Sequence, residues 1–272
     1  MKNNFILPAL YLVIFVFVIL LYVVTPSSQN KSVSLIYTAV TFLPSFAGIY
    51  TLRYTGTGSA FGKSILLGTI GLWSWAIAES IRYVFAFVLH VNPYPSVADI
   101  FVLLPYPVFF AALLVSYKSF GVPILKLPKK LLAINSLIVI ALSLPVFYFG
   151  VYSAYDSEVG VLQNILSLPY GVADLVLMAA SLLVFSLVRD FSRSRFGYFW
   201  ITITIGFAIF LTADVLFSIF NIEHSNDLKP YTYIDLLWVG GYLLFSYAML
   251  DIALYLKKLH RTMRDEVSGI VG

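Results

Sequence analysis

The chain has 272 residues, of which 60% are hydrophobic, 17% aromatic and 11% charged, with a formal net charge of +4. A soluble domain carries about 25% charged residues, so this composition excludes a soluble globule and a disordered tail and assigns the chain to a lipid bilayer. There is no cysteine, which excludes a disulfide framework, thiolate metal sites, thioether-linked haem and a cysteine nucleophile.

A helix needs about 20 apolar residues to cross about 30 Å of hydrocarbon. Eight segments qualify, at roughly 5–24, 33–52, 64–90, 97–117, 131–152, 170–188, 199–220 and 233–256. They are far longer than the roughly ten-residue alternating strands of a membrane barrel. The predicted fold class is therefore all-α integral membrane, with eight transmembrane helices over 1–256 and a short basic tail over 257–272. The first segment reads as a span rather than a secretory signal: its apolar core is long, and Thr25-Pro26-Ser27-Ser28 offers no small-x-small cleavage site.

Lysine and arginine set the expected orientation. Fourteen cations fall on one side: Lys2, Arg53, Lys63, Lys118, Lys126, Lys129, Lys130, Arg189, Arg193, Arg195, Lys257, Lys258, Arg261 and Arg264. Only Lys31 and Lys229 fall on the other, and Arg82 lies inside the third span. This split predicts a multi-pass protein of the cell membrane with both termini cytoplasmic. The positive charge then serves topology and anionic headgroups rather than nucleic acid.

The third and seventh spans align at a shift of 135 positions. FGKSILLGTIGLWSWAIAE (Phe61 to Glu79) and FGYFWITITIGFAIFLTAD (Phe196 to Asp214) share six of nineteen residues, with Glu79 opposite Asp214. With one residue inserted, DIFVLLPYPVFFAALL (Asp99 to Leu114) matches DLLWVGGYLLFSYAML (Asp235 to Leu250). The expectation is two tandem four-helix units, about 33–118 and 168–256, related by a pseudo-twofold axis along the membrane normal, as in parallel-repeat transporters.

Three helix starts repeat a pattern: PYPSVAD, PYGVAD and PYTYID place Pro-Tyr before a span and Asp99, Asp174 or Asp235 in its first turn. Ser96-x-x-Asp99 and Thr232-x-x-Asp235 resemble capping boxes, so these outer-face acids read first as structural caps. The functional alternative is a ring of outward carboxylates that gathers a cation or a polar ligand.

Glu79, Arg82 and Asp214 lie deeper, Glu79 about 16 Å along the helix from His90. Charges at that depth are costly unless paired. Glu79 and Arg82 share a helix face three residues apart, and Asp214 is expected from the other half, where Phe217 stands in the place of the arginine. One arginine shared by two carboxylates, with Tyr83 as a further hydrogen-bond partner, is the expected cluster. It reads either as a structural ion pair that holds the halves together or as a ligand-binding or proton-responsive site. His90 and His224 end the third and seventh spans and admit a metal or haem pair, with Glu223 or Asp227 nearby, but interfacial histidines are common and no metal is predicted. His260 reads as a solvated tail residue.

No lysine lies within a span, which removes a retinal Schiff base. HExxH, GxSxG, the Walker lysine loop and GxGxxG are all absent, and TGTGSAFGKS (Thr55 to Ser64) lacks phosphate-loop spacing. The 42 phenylalanine and tyrosine residues could line a pocket for a quinone, carotenoid or lipid, although packing and interfacial belts account for them. No cofactor is predicted, and an apolar or aromatic ligand stays open.

PYPSVADIFVLLPYP, PYGVADLVLMAASLLVFSLVR and ADVLFSIFNIEHSNDLKPYTYIDLLWVGGYLL together resemble the multi-helix membrane region at the N-terminus of prokaryotic diguanylate cyclases and histidine kinases. The residues that carry the likeness are Pro95, Ser96, Ala98, Asp99, Phe101 and Tyr106, then Asp235, Leu236, Trp238, Gly241 and Tyr242, within about 60–256. The resemblance implies a sensor-like or small-ligand-binding module without catalysis. As no kinase or cyclase domain follows KKLHRTMRDEVSGIVG here, output is expected through a separate cytoplasmic partner or a homo-oligomer. A proton- or ion-coupled permease using Glu79 and Asp214 is the alternative, and a lipid-modifying membrane enzyme with the same acids as acid–base groups is the third reading.

Overall fold

A computed structural model describes residues 6–25, 31–123, 126–152, 161–188, 193–223 and 231–271, and among them there is no strand. The helices are α1 (Ile6–Val24), α2 (Lys31–Thr55), α3 (Ala60–Phe87), α4 (Ala98–Leu103), α5 (Pro105–Ser119), α6 (Lys129–Phe147), α7 (Val161–Val188), α8 (Arg195–Glu223) and α9 (Tyr231–Val271). Counting Ala98–Ser119 as one span, eight are long and apolar enough to cross a membrane. Large apolar side chains on α1 and α6, such as Val13, Phe17, Leu137 and Leu144, are exposed. That is the distribution expected where the surrounding solvent is acyl chain rather than water.

Three boundaries differ from those expected. The fourth span loses one helical hydrogen bond next to Leu104, because Pro105 has no N–H to return to the carbonyl of Phe101, while Leu104 itself stays helical (φ −55°, ψ −39°). A freed carbonyl in lipid needs another donor, and α3 supplies it: Ser74 Oγ donates to Phe101 O at 2.8 Å, and Trp75 Nε1 donates to the next carbonyl, Val102 O, at 3.2 Å. Next, α7 begins at Val161 rather than near 170, so Pro169-Tyr170 lies inside the helix instead of opening it. Finally, α9 continues unbroken to Val271. The basic stretch after 256 is thus the last third of one long helix, because loss of apolar character ends a span without ending a helix. Beyond Pro145, α6 relaxes into a π-helical turn at Tyr148–Tyr152.

At the centre, α3 packs on α5 and α8 packs on α9, with α2 against α3 and α9, and α7 against α5 and α8. The two central pairs meet through their rings, Trp75 on Phe210 and Phe109 on Phe207. Small residues permit the close approaches, as expected where helices pack in lipid. A methyl group at Gly71 would sit 2.6 Å from the Phe109 ring, and one at Gly206 would sit 2.5 Å from the Phe245 ring. Between these two contacts Trp75 of α3 stacks on Phe210 of α8, with centroids 4.8 Å apart and planes 7° apart. On α2 a buried line of Thr38, Thr41, Ser45, Gly48 and Thr51 faces the bundle, and Thr51 Oγ1 donates to Met249 O of α9 at 2.8 Å. Toward the basic end Arg195 of α8 grips Asp251 of α9 through both carboxylate oxygens, at 2.8 and 3.0 Å.

Candidate functional site

The acids expected as two separate groups form one polar cluster, lying beyond the Trp75–Phe210 stack toward the end of the bundle that carries the α3–α4 loop. Arg82 organises its first half. Its two terminal nitrogens reach different carboxylates: Nη1 to Glu79 Oε1 at 3.1 Å and Nη2 to Asp99 Oδ1 at 3.3 Å. One arginine is therefore shared by two carboxylates, but the second is Asp99 and not Asp214, the expected partner. The reason is local. Asp99 starts α4, directly after the loop that leaves α3, so only 17 residues of chain separate it from Arg82.

Asp99 also caps its own helix. The Ser96 amide donates to Asp99 Oδ2 at 2.7 Å, the carboxylate half of a capping box, while the Ser96 Oγ accepts from the Ala98 amide at 3.1 Å, one residue short of the usual partner. One carboxylate oxygen thus serves the fold while the other serves the cluster, and both are buried, with Asp99 at 1% exposure. The Tyr170 hydroxyl of α7 adds a donor to Asp99 Oδ1 at 3.4 Å.

The second half is built by α7, α8 and α9. Trp238 Nε1 donates to Asp214 Oδ1 at 2.7 Å. The Asp174 carboxyl lies against that of Asp214, within hydrogen-bonding reach, and the Tyr106 hydroxyl of α5 approaches Asp174 from the other side. Asp174 is buried, and its Oδ2 accepts no hydrogen bond. Asp235 accepts from the Tyr22 hydroxyl of α1 at 3.3 Å and lies close enough to Glu79 for their charges to interact. Tyr37 of α2 and Tyr242 of α9 close the floor, their rings edge to face at 6.4 Å. Six helices besides α4 and α5 therefore contribute a polar group.

No family model, curated protein or solved structure matches this chain. The functional reading accordingly rests on the geometry of the cluster and on the sequence.

Tyr83, expected within the cluster, packs its ring on Phe87 instead, with centroids 5.3 Å apart. The tyrosines that reach the acids are Tyr22, Tyr106 and Tyr170, each brought in by a helix remote in sequence. Trp238 was part of the sequence likeness but not of the expected site. A tryptophan three residues after an aspartate on an otherwise apolar helix was the available signal, since its N–H needs a partner when buried. His90 is exposed, with φ of 53°. His224 and Asp227 lie outside the described residues, so the histidine pair is not described. Among the described residues no three acid or histidine side chains are placed to hold a metal ion. An apolar cavity among α3, α5, α8 and α9, bordered by Gly68, Leu72, Phe109, Ile203, Phe207 and Phe245, lies on the other side of the Trp75–Phe210 stack from the acids.

Proposed function

We propose that this chain is a sensor-like module of the cell membrane, in which the buried acid cluster joins two related halves and biases the helix that leaves the membrane. The observation that carries this reading is the continuity of α9. Asp235 and Trp238 of the cluster and the exposed basic stretch Lys257–Arg264 lie on one uninterrupted helix. From Asp235 to Arg264 that rod spans about 44 Å at 1.5 Å per residue. A small rotation or shift at the acids is therefore delivered to a basic face outside the hydrocarbon, where a cytoplasmic partner or a second copy of the chain would read it.

Paired contacts support the two-unit arrangement. Gly71 against Phe109 recurs as Gly206 against Phe245, at shifts of 135 and 136, and Phe61 meets its own counterpart Phe196 at 5.2 Å. The cluster is where the units diverge. Arg82 of the first corresponds to Phe217 of the second, whose ring lies 5.7 Å from Trp238, and Trp238 supplies the donor to Asp214 instead. Both termini are assigned to the cytoplasm by the distribution of lysine and arginine.

The chain has no native cysteine, so labels go only where they are placed. With nitroxides on Lys130→Cys and Met263→Cys, both exposed positions, Arg82→Gln is expected to shift the measured distance between α6 and the end of α9. Identical distance distributions with and without Arg82 would refute the reading.

A further inference from the structure

We infer that Asp174 and Asp214 form a proton-binding site, with one proton held between their two carboxyl groups. The inference rests on the acid cluster being the working site, and it names the ligand of that site.

The geometry leaves few alternatives. Two carboxyl groups lie against each other between α7 and α8, and one of their oxygens, Asp174 Oδ2, is buried without a donor. Two carboxylates in such contact cannot both be ionised unless a cation compensates them. Among the described residues neither aspartate forms an ion pair with lysine, arginine or histidine. Among the described residues, the polar groups around the pair are Tyr106 of α5, Tyr170 of α7 itself, Trp238 and Tyr242 of α9, Arg82 of α3 and, bonded to Tyr170, Asp99 of α4. Beyond Gly171 the neighbour from α6 is the apolar Val146. Arg82 is the one cation in this set, and its terminal nitrogens are occupied by Glu79 and Asp99. The donors within reach are therefore hydroxyl and indole groups, which bring no charge.

A proton resolves the arrangement. One carboxyl group keeps its O–H and donates it to an oxygen of the other, which stays a carboxylate and also accepts from Trp238 or Tyr106. The pair then carries a single negative charge. Asp174 is buried, and Asp214 is partly so. When base removes the proton, two adjacent anions remain with no donor between them, and α7 and α8 are driven apart at this level.

Infrared spectroscopy of the purified protein in lipid reads the proton directly through the carbonyl stretch of a protonated carboxyl group. At neutral pH the expected result is such a band, shifted by deuterium exchange and by 13C-labelled aspartate but not by labelled glutamate. It should vanish in Asp174→Asn and in Asp214→Asn and persist in Glu79→Gln. Each asparagine can donate its N–H to the remaining carboxylate, so both variants should fold. The labelled native protein separates aspartate from glutamate even if they do not, and persistence of the band in Asp235→Asn then assigns it to the pair. A native protein without an aspartate band, or a band unchanged in both Asn variants, overturns the site while leaving a sensor of some other ligand standing. A band that behaves as expected supports the site even if α9 proves unresponsive, which would instead overturn the proposed function.

Discussion

At the residue scale Arg82 is the side chain on which most depends. Its fork spans two carboxylates from different helices, at 3.1 and 3.3 Å, a geometry that a single ammonium group cannot reproduce. Arg82→Gln is expected to cost about 1–3 kcal/mol, less than a fully buried pair because the Arg82 side chain is 33% exposed, since Glu79 and Asp99 are left facing each other uncompensated. Arg82→Lys should recover only part of this loss. Thermal unfolding in lipid nanodiscs compares the three proteins, and equal stability of all of them would mean the arginine is solvated rather than shared. The sequence made Arg82 and Glu79 legible, since ions at that depth must be paired and a three-residue spacing pairs them. It could not reveal that Asp99 is the second partner. The Ser96-x-x-Asp99 pattern accounts for the acid as a cap, and nothing in a linear pattern says that a capping carboxylate has a second oxygen to spare.

At the scale of elements the helices were readable because the bilayer fixes their length, whereas their interruptions depend on neighbours. Pro105 is visible in the sequence. That the chain stays helical through Leu104 despite the missing bond is helped by Ser74 and Trp75, which are in place to donate to the carbonyls of Phe101 and Val102. Similarly, Asp174 and Asp235 read as helix starts because depth along a helix can be counted, while the direction a side chain faces cannot be known until its neighbours are. The two glycine contacts give a matched test. Gly71→Ala and Gly206→Ala each press a methyl group into an aromatic ring, and each is expected to lower stability by about 1–3 kcal/mol. Similar losses on the same unfolding measurement would fit equivalent positions in two related units, whereas a loss at one glycine and none at the other would argue against equivalence.

At the scale of the whole molecule the account joins an orientation, a cluster and a rod. The orientation predicts that Ser59→Cys and Ser194→Cys react with a membrane-impermeant maleimide only in inside-out vesicles, and Asn92→Cys only in right-side-out ones. The opposite pattern would put the cluster at the cytoplasmic face. Across the bundle, the stacked Trp75 and Phe210 separate the acids from the apolar cavity. In the proposed sensor a signal from the acids would therefore pass the ring stack by helix movement. The helix best placed to carry it is α9, which touches α1, α2 and α8 and holds Asp235, Trp238 and Tyr242 of the cluster.

The most direct test of this coupling is the distance between labels at Lys130→Cys and Met263→Cys, followed in lipid as the pH is raised through the loss of the carboxyl proton. The account predicts that the distance changes with pH in the native background and is fixed in the Asp174→Asn/Asp214→Asn double variant. A distance that is the same at every pH in the native background, or that changes equally in the double variant, would contradict it.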